Sequence, residues 1–500
     1  MKFTYRMLAL LLAGTSLCYS LPAQESEPYR IPEEGTFVLC GKAENVPANE
    51  KMFRLAVCHP FDNKGAEVPL EPDGTFRKEL PVAGTQDMYL YLGDAVTVFT
   101  YPGDTLTLTF DYADLPGSIR LSGTTPERTR ELELCLELYR TYREAFLNFG
   151  TIRKELYTKG ASVADTCMLN AVARYATDYR NTVQAFTAEH GAVPHEDYLI
   201  RQGYFGALSN VAYSPEALAK LYSPPYSLRC YAGEKQEQKP LYTSRAFNPF
   251  LSSSATDFMM TYLAANLSRT TALFEQGDPA ETFASQTALA GCAIPQDALR
   301  DWYLAVSFKR GINWFGWKPT EAMKQAGEAC LASLTSAPAK ACMEEVLEQH
   351  FTRLAPGSQA PAFTLPDEQG RLVSLDDLKG KIVYLDFWSD GCGPCISEFR
   401  QQEAFHRKYG AYEDKIAYVY ICLGSSDKRW KELIRKYKLN GINLHANSWE
   451  DPRINAYSNN AVPLYVLIDP EGRLIEYNTL RPSDLAKDAP NLLDKALNTK

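Results

Sequence analysis

The apolar pattern of this chain changes its period twice, and no single layer of structure accommodates all three patterns. Up to residue 123 it alternates every second residue, as in Thr105-Leu106-Thr107-Leu108-Thr109-Phe110, which suits strands with one buried face. Lys51 to Val57 and Asp87 to Leu92 read the same way, with turns at Pro72-Asp73-Gly74 and Pro102-Gly103-Asp104. About seven or eight short strands of this kind make a small sandwich or barrel. From residue 124 the period becomes helical. Thr125-Pro126, Ser214-Pro215 and Asp278-Pro279 each set a capping residue before a proline, and Glu281 completes a box-like pattern in the last. Leu132, Leu136, Tyr139 and Tyr142 then fall on one helix face. About seven or eight helices are expected, with a loop-rich break from Ser223 to Phe250. The aromatic run Asn313 to Trp317 reads as helix-end packing.

From Pro356 strands and helices alternate. Lys381 to Trp388 is a hydrophobic strand, and a helix is expected from Cys392 to Tyr409, closed by Gly410. Ile416 to Leu423 is the next strand and Arg429 to Tyr437 a helix. Val462 to Asp469 and Arg473 to Tyr477 form a hairpin across Pro470-Glu471-Gly472, and a last helix ends the chain. A sheet with helices on both faces follows. The expected organisation is multidomain: a signal peptide over 1–23, a small all-β sandwich-like domain over 24–123, an all-α region over 124–353 and an α/β domain over 354–500.

Composition narrows the function. With 45% hydrophobic and 12% aromatic residues the chain can bury several cores. A net charge of −9, with no Lys/Arg run to track phosphates, argues against nucleic acid as a partner. Lys2 and Arg6 precede an apolar run from Met7 to Leu17, with small residues at Ser20 and Ala23 where cleavage would follow. That is the pattern of a secretory signal, too short to span a membrane, and it implies the periplasm or cell envelope. A lipoprotein reading would instead lipidate Cys18, although Leu17 is bulky where such sites take a small residue. The chain has 12 cysteines, of which Cys135, Cys330 and Cys342 lie in apolar helical patterns and read as buried thiols.

Cys392 and Cys395 differ from these. Residues i and i+3 on a first helical turn lie about 5–6 Å apart, within reach of a disulfide. At a helix N-terminus free N–H groups favour a thiolate at Cys392, and Pro394 costs no hydrogen bond there. One accessible sulfur with a covered one three residues on suits thiol–disulfide exchange. A zinc site would need further ligands, and His190 and His195 read as surface loop residues of another region. A c-type haem would need His where Ile396 stands. A purely structural disulfide stays open.

The stretches VYLDFWSDGCGPCISEF and AVPLYVLIDPEGRLIEY resemble the thioredoxin-fold domain of the TlpA/ResA-like exported thiol–disulfide oxidoreductases, over about residues 356–500. A β-rich domain and helices ahead of such a module are similar to other exported bacterial thioredoxin-like proteins. The resemblance implies that Cys392 attacks, Cys395 resolves, and Pro463 after Val462 is a cis-proline facing the pair. It makes Asp386 the buried acid that moves a proton, Glu398 a second acid, and Trp388 the aromatic beside the pair. Gly393, Pro394, Val462 and Pro463 would contact the substrate. Asp386 on a hydrophobic strand is in any case hard to explain as a solvated residue, whereas Glu398 equally suits a first-turn acid that complements the helix dipole.

Three departures stand out: Gly391 replaces the usual Trp, IAYVYICL holds no counterpart of thioredoxin's lysine, and Arg400 replaces a frequent Pro. Loss of the indole at 391 is expected to open the approach to Cys392 for a bulky folded substrate. The expected activity is reduction of protein disulfides, with no cofactor beyond the Cys392–Cys395 pair, no metal, and a membrane electron donor as partner. Thioredoxin lies near about −270 mV and DsbA near about −120 mV, and a Gly-Pro dipeptide resembles the former. A peroxidase is disfavoured, because only Ser389 offers a hydroxyl upstream and Leu385 stands where none helps. The alternative is a partner-binding or scaffold protein whose dithiol regulates or recruits.

Overall fold

The computed structural model describes residues 34–48, 50–59, 61, 63–92, 94–228, 278–294, 297–313, 317–446, 451–457 and 462–498. The leader over 1–23 with Cys18, most of the break from Ser223 to Phe250, and positions 314–316 of the aromatic run lie outside them.

Alternation along the first strands turns one face of each into a shared core. The strands are β1 (Glu34–Glu44), β2 (Met52–Cys58), β3 (Asn63–Pro69), β4 (Thr75–Ala83), β5 (Gln86–Leu92), β6 (Asp94–Thr100), β7 (Thr105–Asp111) and β8 (Arg120–Ser122). Among the described residues they make two four-stranded sheets, in the orders β4-β1-β7-β8 and β3-β2-β5-β6. In β7 Leu106, Leu108 and Phe110 are buried while Thr107 and Thr109 face out. Phe53 of one sheet packs edge-to-face on Phe76 and Phe110 of the other, with centroids 5.0 and 5.5 Å apart, so the two inner faces make one sandwich core.

The helices that follow are α1 (Pro126–Thr158), α2 (Thr166–His190), α3 (Glu196–Leu208), α4 (Pro215–Leu221), α5 (Pro279–Ala293), α6 (Asp297–Asn313), α7 (Glu321–Ser333) and α8 (Ala337–Glu348). The Thr125 hydroxyl accepts from the Arg128 amide, the Ser214 hydroxyl from the Ala217 amide, and Asp278 from the Ala280 and Glu281 amides. Each cap is followed by proline, which has no amide to leave unpaired in a first turn. Leu132 and Leu136 join the sandwich core, with Tyr139 and Tyr142 packed against it. This shared core joins the sandwich to the first helices, within one of two compact units. One comprises residues 1–308 with 329–342, and the other 309–328 with 343–500.

The second unit contains β9 (Thr364–Pro366), β10 (Leu372–Ser374), β11 (Ile382–Trp388), α9 (Gly393–Phe399), α10 (Gln402–Tyr409), β12 (Ile416–Leu423), α11 (Asp427–Tyr437), β13 (Ile442–Ala446), β14 (Leu464–Ile468), β15 (Leu474–Tyr477), α12 (Pro482–Leu485) and α13 (Leu492–Asn498). Among the described residues its main sheet runs β13-β12-β11-β14-β15. β11 is parallel to β12 and antiparallel to β14. All seven residues of β11 are buried. Val383, Leu385 and Phe387 enter one core, and Ile382, Tyr384 and Trp388 enter the other. This is the α/β thioredoxin-like fold.

One local expectation is corrected. The single helix expected from Cys392 to Tyr409 is two helices, broken at Arg400 and Gln401 although neither is proline. The Gln401 amide donates to the Glu398 carbonyl at 2.9 Å in a tight turn. Gln402 is buried, donating to the Tyr437 carbonyl at 3.0 Å and accepting from the Tyr420 hydroxyl at 3.0 Å. Tertiary hydrogen bonds thus set the break. The second helix ends at Tyr409 with Gly410 as its C-cap, as expected, and the chain continues into a 3₁₀ turn over Gly410–Tyr412.

Candidate active site

The site begins at the C-terminal end of β11, where the chain leaves the sheet and enters α9. Strand alternation puts Asp386 on the same face as Tyr384 and Trp388. Those two belong to the core cluster that contains Cys392, Cys395, Phe399, Tyr420 and Tyr465. Asp386 therefore lies in the layer that carries the cysteines.

Cys392 is the N-cap of α9, with Pro394 in the first turn. The structure holds it disulfide-bonded to Cys395, with the Cα atoms 5.3 Å apart. The Cys395 amide donates to Cys392 Sγ at 3.1 Å. That donor would steady negative charge on Cys392 once the bond opens. Cys392 keeps 8% of its surface and Cys395 none, so an incoming group can reach only the first sulfur. Gly391, Gly393 and Pro394 around it are exposed. A Cβ placed on Gly391 would meet nothing within 4 Å.

Val462 and Pro463 are joined by a cis peptide just before β14. Both are half-buried, and Val462 packs against the cluster that holds the two cysteines. Trp388 is fully buried, edge-on to Phe399 at 5.1 Å. Its indole N–H has no partner among the described residues.

The two acids have contrasting surroundings. Asp386 is 1% exposed, and neither carboxyl oxygen has a hydrogen-bond partner among the described residues. Burial pushes its carboxyl well above the usual range, and the charge of Glu398 adds to the effect. Tyr420 on β12 and Tyr465 on β14 stand directly opposite it. The position flanking the acid thus carries tyrosines in place of the missing lysine. Glu398, one turn past Cys395, is also buried but fully bonded: the Ser483 amide donates to Oε2 at 3.1 Å and its hydroxyl to Oε1 at 3.0 Å.

Ser483 and the two tyrosines were not singled out from the sequence. The tyrosines carry a signal, since YVY in β12 alternates in step with the acid on β11. Ser483 carries none, because it meets Glu398 across 85 residues of sequence. His190 is exposed as expected but ends a helix, and His195 lies in a loop as expected but is half-buried. His190 ends α2, and His195 caps α3 with its amide and Nδ1 on the buried Glu131 at 2.8 and 3.0 Å. Among the described residues no group of three or more His, Cys, Asp or Glu is placed to hold a metal ion.

Residues 356–482 match the AhpC/TSA family. Over 127 residues the chain is 32% identical to the thiol-disulfide oxidoreductase ResA of Bacillus subtilis, covering 25% of this chain and 68% of that protein. The thioredoxin-like protein YneN of the same organism is 39% identical over 77 residues, 15% of this chain and 44% of its own. Among solved structures, the thioredoxin domain of a thiol-disulfide oxidoreductase from Bacteroides vulgatus is 31% identical, with 29% of this chain and 99% of that one covered and a TM-score of 0.26. Through this C-terminal region the chain belongs to the ResA/TlpA-like thiol-disulfide oxidoreductases of the AhpC/TSA family.

Proposed function

We propose that the protein is an exported reductant of protein disulfides, working through Cys392 and Cys395. The observation that carries this reading is the asymmetry of the pair: one sulfur is reachable and receives an amide hydrogen bond, and the other is sealed in the layer of an unpaired acid. In the reduced enzyme the Cys392 thiolate attacks one sulfur of a substrate disulfide. That S–S bond breaks, and its electron pair leaves on the second substrate sulfur, which takes a proton from water. Cys395 then gives its proton to the Asp386 carboxylate and attacks Cys392 Sγ. The mixed disulfide breaks, the substrate leaves as a dithiol, and the enzyme is left as the disulfide. Two electrons pass per cycle, so a dithiol donor must restore the pair. The signal-like N-terminus supports export, and a donor at the membrane follows from an oxidising compartment.

Exposed Gly391, Gly393 and Pro394, with the half-buried Val462 and Pro463, offer a shallow surface suited to a protein strand. The test is insulin reduction, driven by a chemical dithiol, with the wild type and Cys392→Ser. Turnover in the wild type and a loss of about a thousandfold or more in the variant are expected. A folded wild type without dithiol-dependent turnover would leave the recruiting or scaffold role instead.

A further inference from the structure

Two carboxylates share the layer behind the disulfide, and one outside residue separates their roles. Neither oxygen of Asp386 has a hydrogen-bond partner among the described residues. Both oxygens of Glu398 are taken, and by a single residue, Ser483 of α12, through its amide at 3.1 Å and its hydroxyl at 3.0 Å. Donated hydrogen bonds stabilise a carboxylate's charge, and a fixed charge nearby disfavours ionisation of a second acid. Two like groups with opposed surroundings divide the acid and base work between them.

We propose that Ser483 is a positioning residue for the dithiol: by clamping Glu398 with both of its donors it fixes a negative charge beside Asp386, and so governs how readily Asp386 exchanges its proton with Cys395. The inference rests on the cycle proposed above. In the resolving step Cys395 loses its proton to the Asp386 carboxylate and its sulfur bonds to Cys392. The leaving substrate sulfur takes the electron pair and a proton from water, and Asp386 later returns its own proton to solvent.

Other groups face Asp386 as well. Tyr384 lies two residues before it on β11, with Tyr420 and Tyr465 on the flanking strands. Burial raises all three phenols above their ordinary range, so they stay neutral where the acid titrates. Arg481 reaches this group through Tyr465, and His406 touches the Tyr420 hydroxyl at 3.2 Å. Glu398 is the charge acting on Asp386 itself, which makes its anchor the control point.

The measurement uses full-length oxidised protein with ¹³C-carboxyl aspartate, and the Asp386 signal is assigned by its loss in Asp386→Asn. The disulfide sulfurs do not titrate in this state. Glu398→Gln should move the Asp386 midpoint to lower pH. Ser483→Ala, which keeps the amide but loses the hydroxyl, should move it the same way by less, and Ser483→Thr should restore it. In the reduced enzyme the rate of mixed-disulfide resolution below its inflection should rise about two- to fivefold in Ser483→Ala, because a weaker base is also more often ionised. A midpoint that moves in Glu398→Gln but not in Ser483→Ala overturns the role of Ser483. A midpoint unmoved in both overturns the coupling altogether. A wild type without turnover whose midpoint still follows Ser483 supports the clamp and refutes the cycle.

Discussion

The carboxylates buried around Arg128 in the first compact unit and Asp386 in the second are held in opposite ways. In the first unit Asp104 and Glu131 are wired to Arg128. The guanidinium donates to Asp104 at 2.8 and 3.1 Å, to Glu131 at 2.7 Å and to the Phe99 carbonyl at 2.6 Å. It also lies over the Phe99 and Tyr101 rings at 4.9 and 4.8 Å. Glu131 holds His195 with its other oxygen. In the second unit Asp386 has none of this. A buried charge with a complete set of partners ties elements together, here the end of β6, the turn residue just before β7, α1 and the start of α3. A buried acid without partners persists where its protonation is used. His350 adds a control: both its nitrogens lack partners among the described residues, and burial lowers its pKa to about 4. It is therefore neutral near pH 7 and places no charge in the core.

The hardest blow to this comparison is Arg128→Met. It leaves two buried carboxylates facing each other without their cation, which costs about 3–5 kcal/mol. Hydrogen exchange across α1 and β7 reads that loss locally. A change below about 1 kcal/mol would mean that the network is not what ties these elements together.

Asp386→Asn probes the other side, with a smaller effect on stability and a larger one on rate. The folded carboxyl is raised above its ordinary value of 3.8. Stability linked to it is therefore fully present below about pH 4 and is lost as pH rises through the folded value. The wild type and Asn variant should match most closely near pH 4, and the variant should become the more stable of the two as pH rises towards 8. Denaturant melts of the oxidised proteins at both pH values check this. Resolution of a mixed disulfide should meanwhile slow about a hundredfold. Equal pH slopes in the two proteins would show that Asp386 is not held neutral by the fold.

How far these features could be read in the sequence depends on how local their causes are. The strand ending in Trp388, the cysteines three residues apart and the proline after Val462 are written in adjacent residues. Asp386 stood out because an ionisable group on an apolar strand has no cheap explanation. The break at Arg400 was hidden, since Gln402 finds its partner at Tyr437, 35 residues on. The bond of the loop residue His195 to Glu131 was hidden because that carboxylate lies 64 positions earlier. Nothing in the residues around Arg128 announces its burial against Asp104, 24 positions earlier. Long-range polar contacts leave no period in the chain, so the clamp at Ser483 and the wiring at Arg128 came from the fold.

Gly391 gives the finest test of the open side of the disulfide. A Cβ there would meet nothing within 4 Å, so the side chain of Gly391→Trp can leave the backbone beside Cys392 without a clash at its first atom. A small disulfide needs only a narrow approach to the sulfur, whereas a folded protein must bring its backbone alongside Pro463. The added ring should therefore lower the ratio of protein to small-molecule disulfide reduction by about two- to fivefold, a difference of under about 1 kcal/mol in the competing barriers. Parallel rates with insulin and with a small aromatic disulfide measure that ratio directly. If both fall together, the indole changes the pair and not its approach. An unchanged ratio with unchanged rates would mean that the open face at Gly391 plays no part in choosing the substrate.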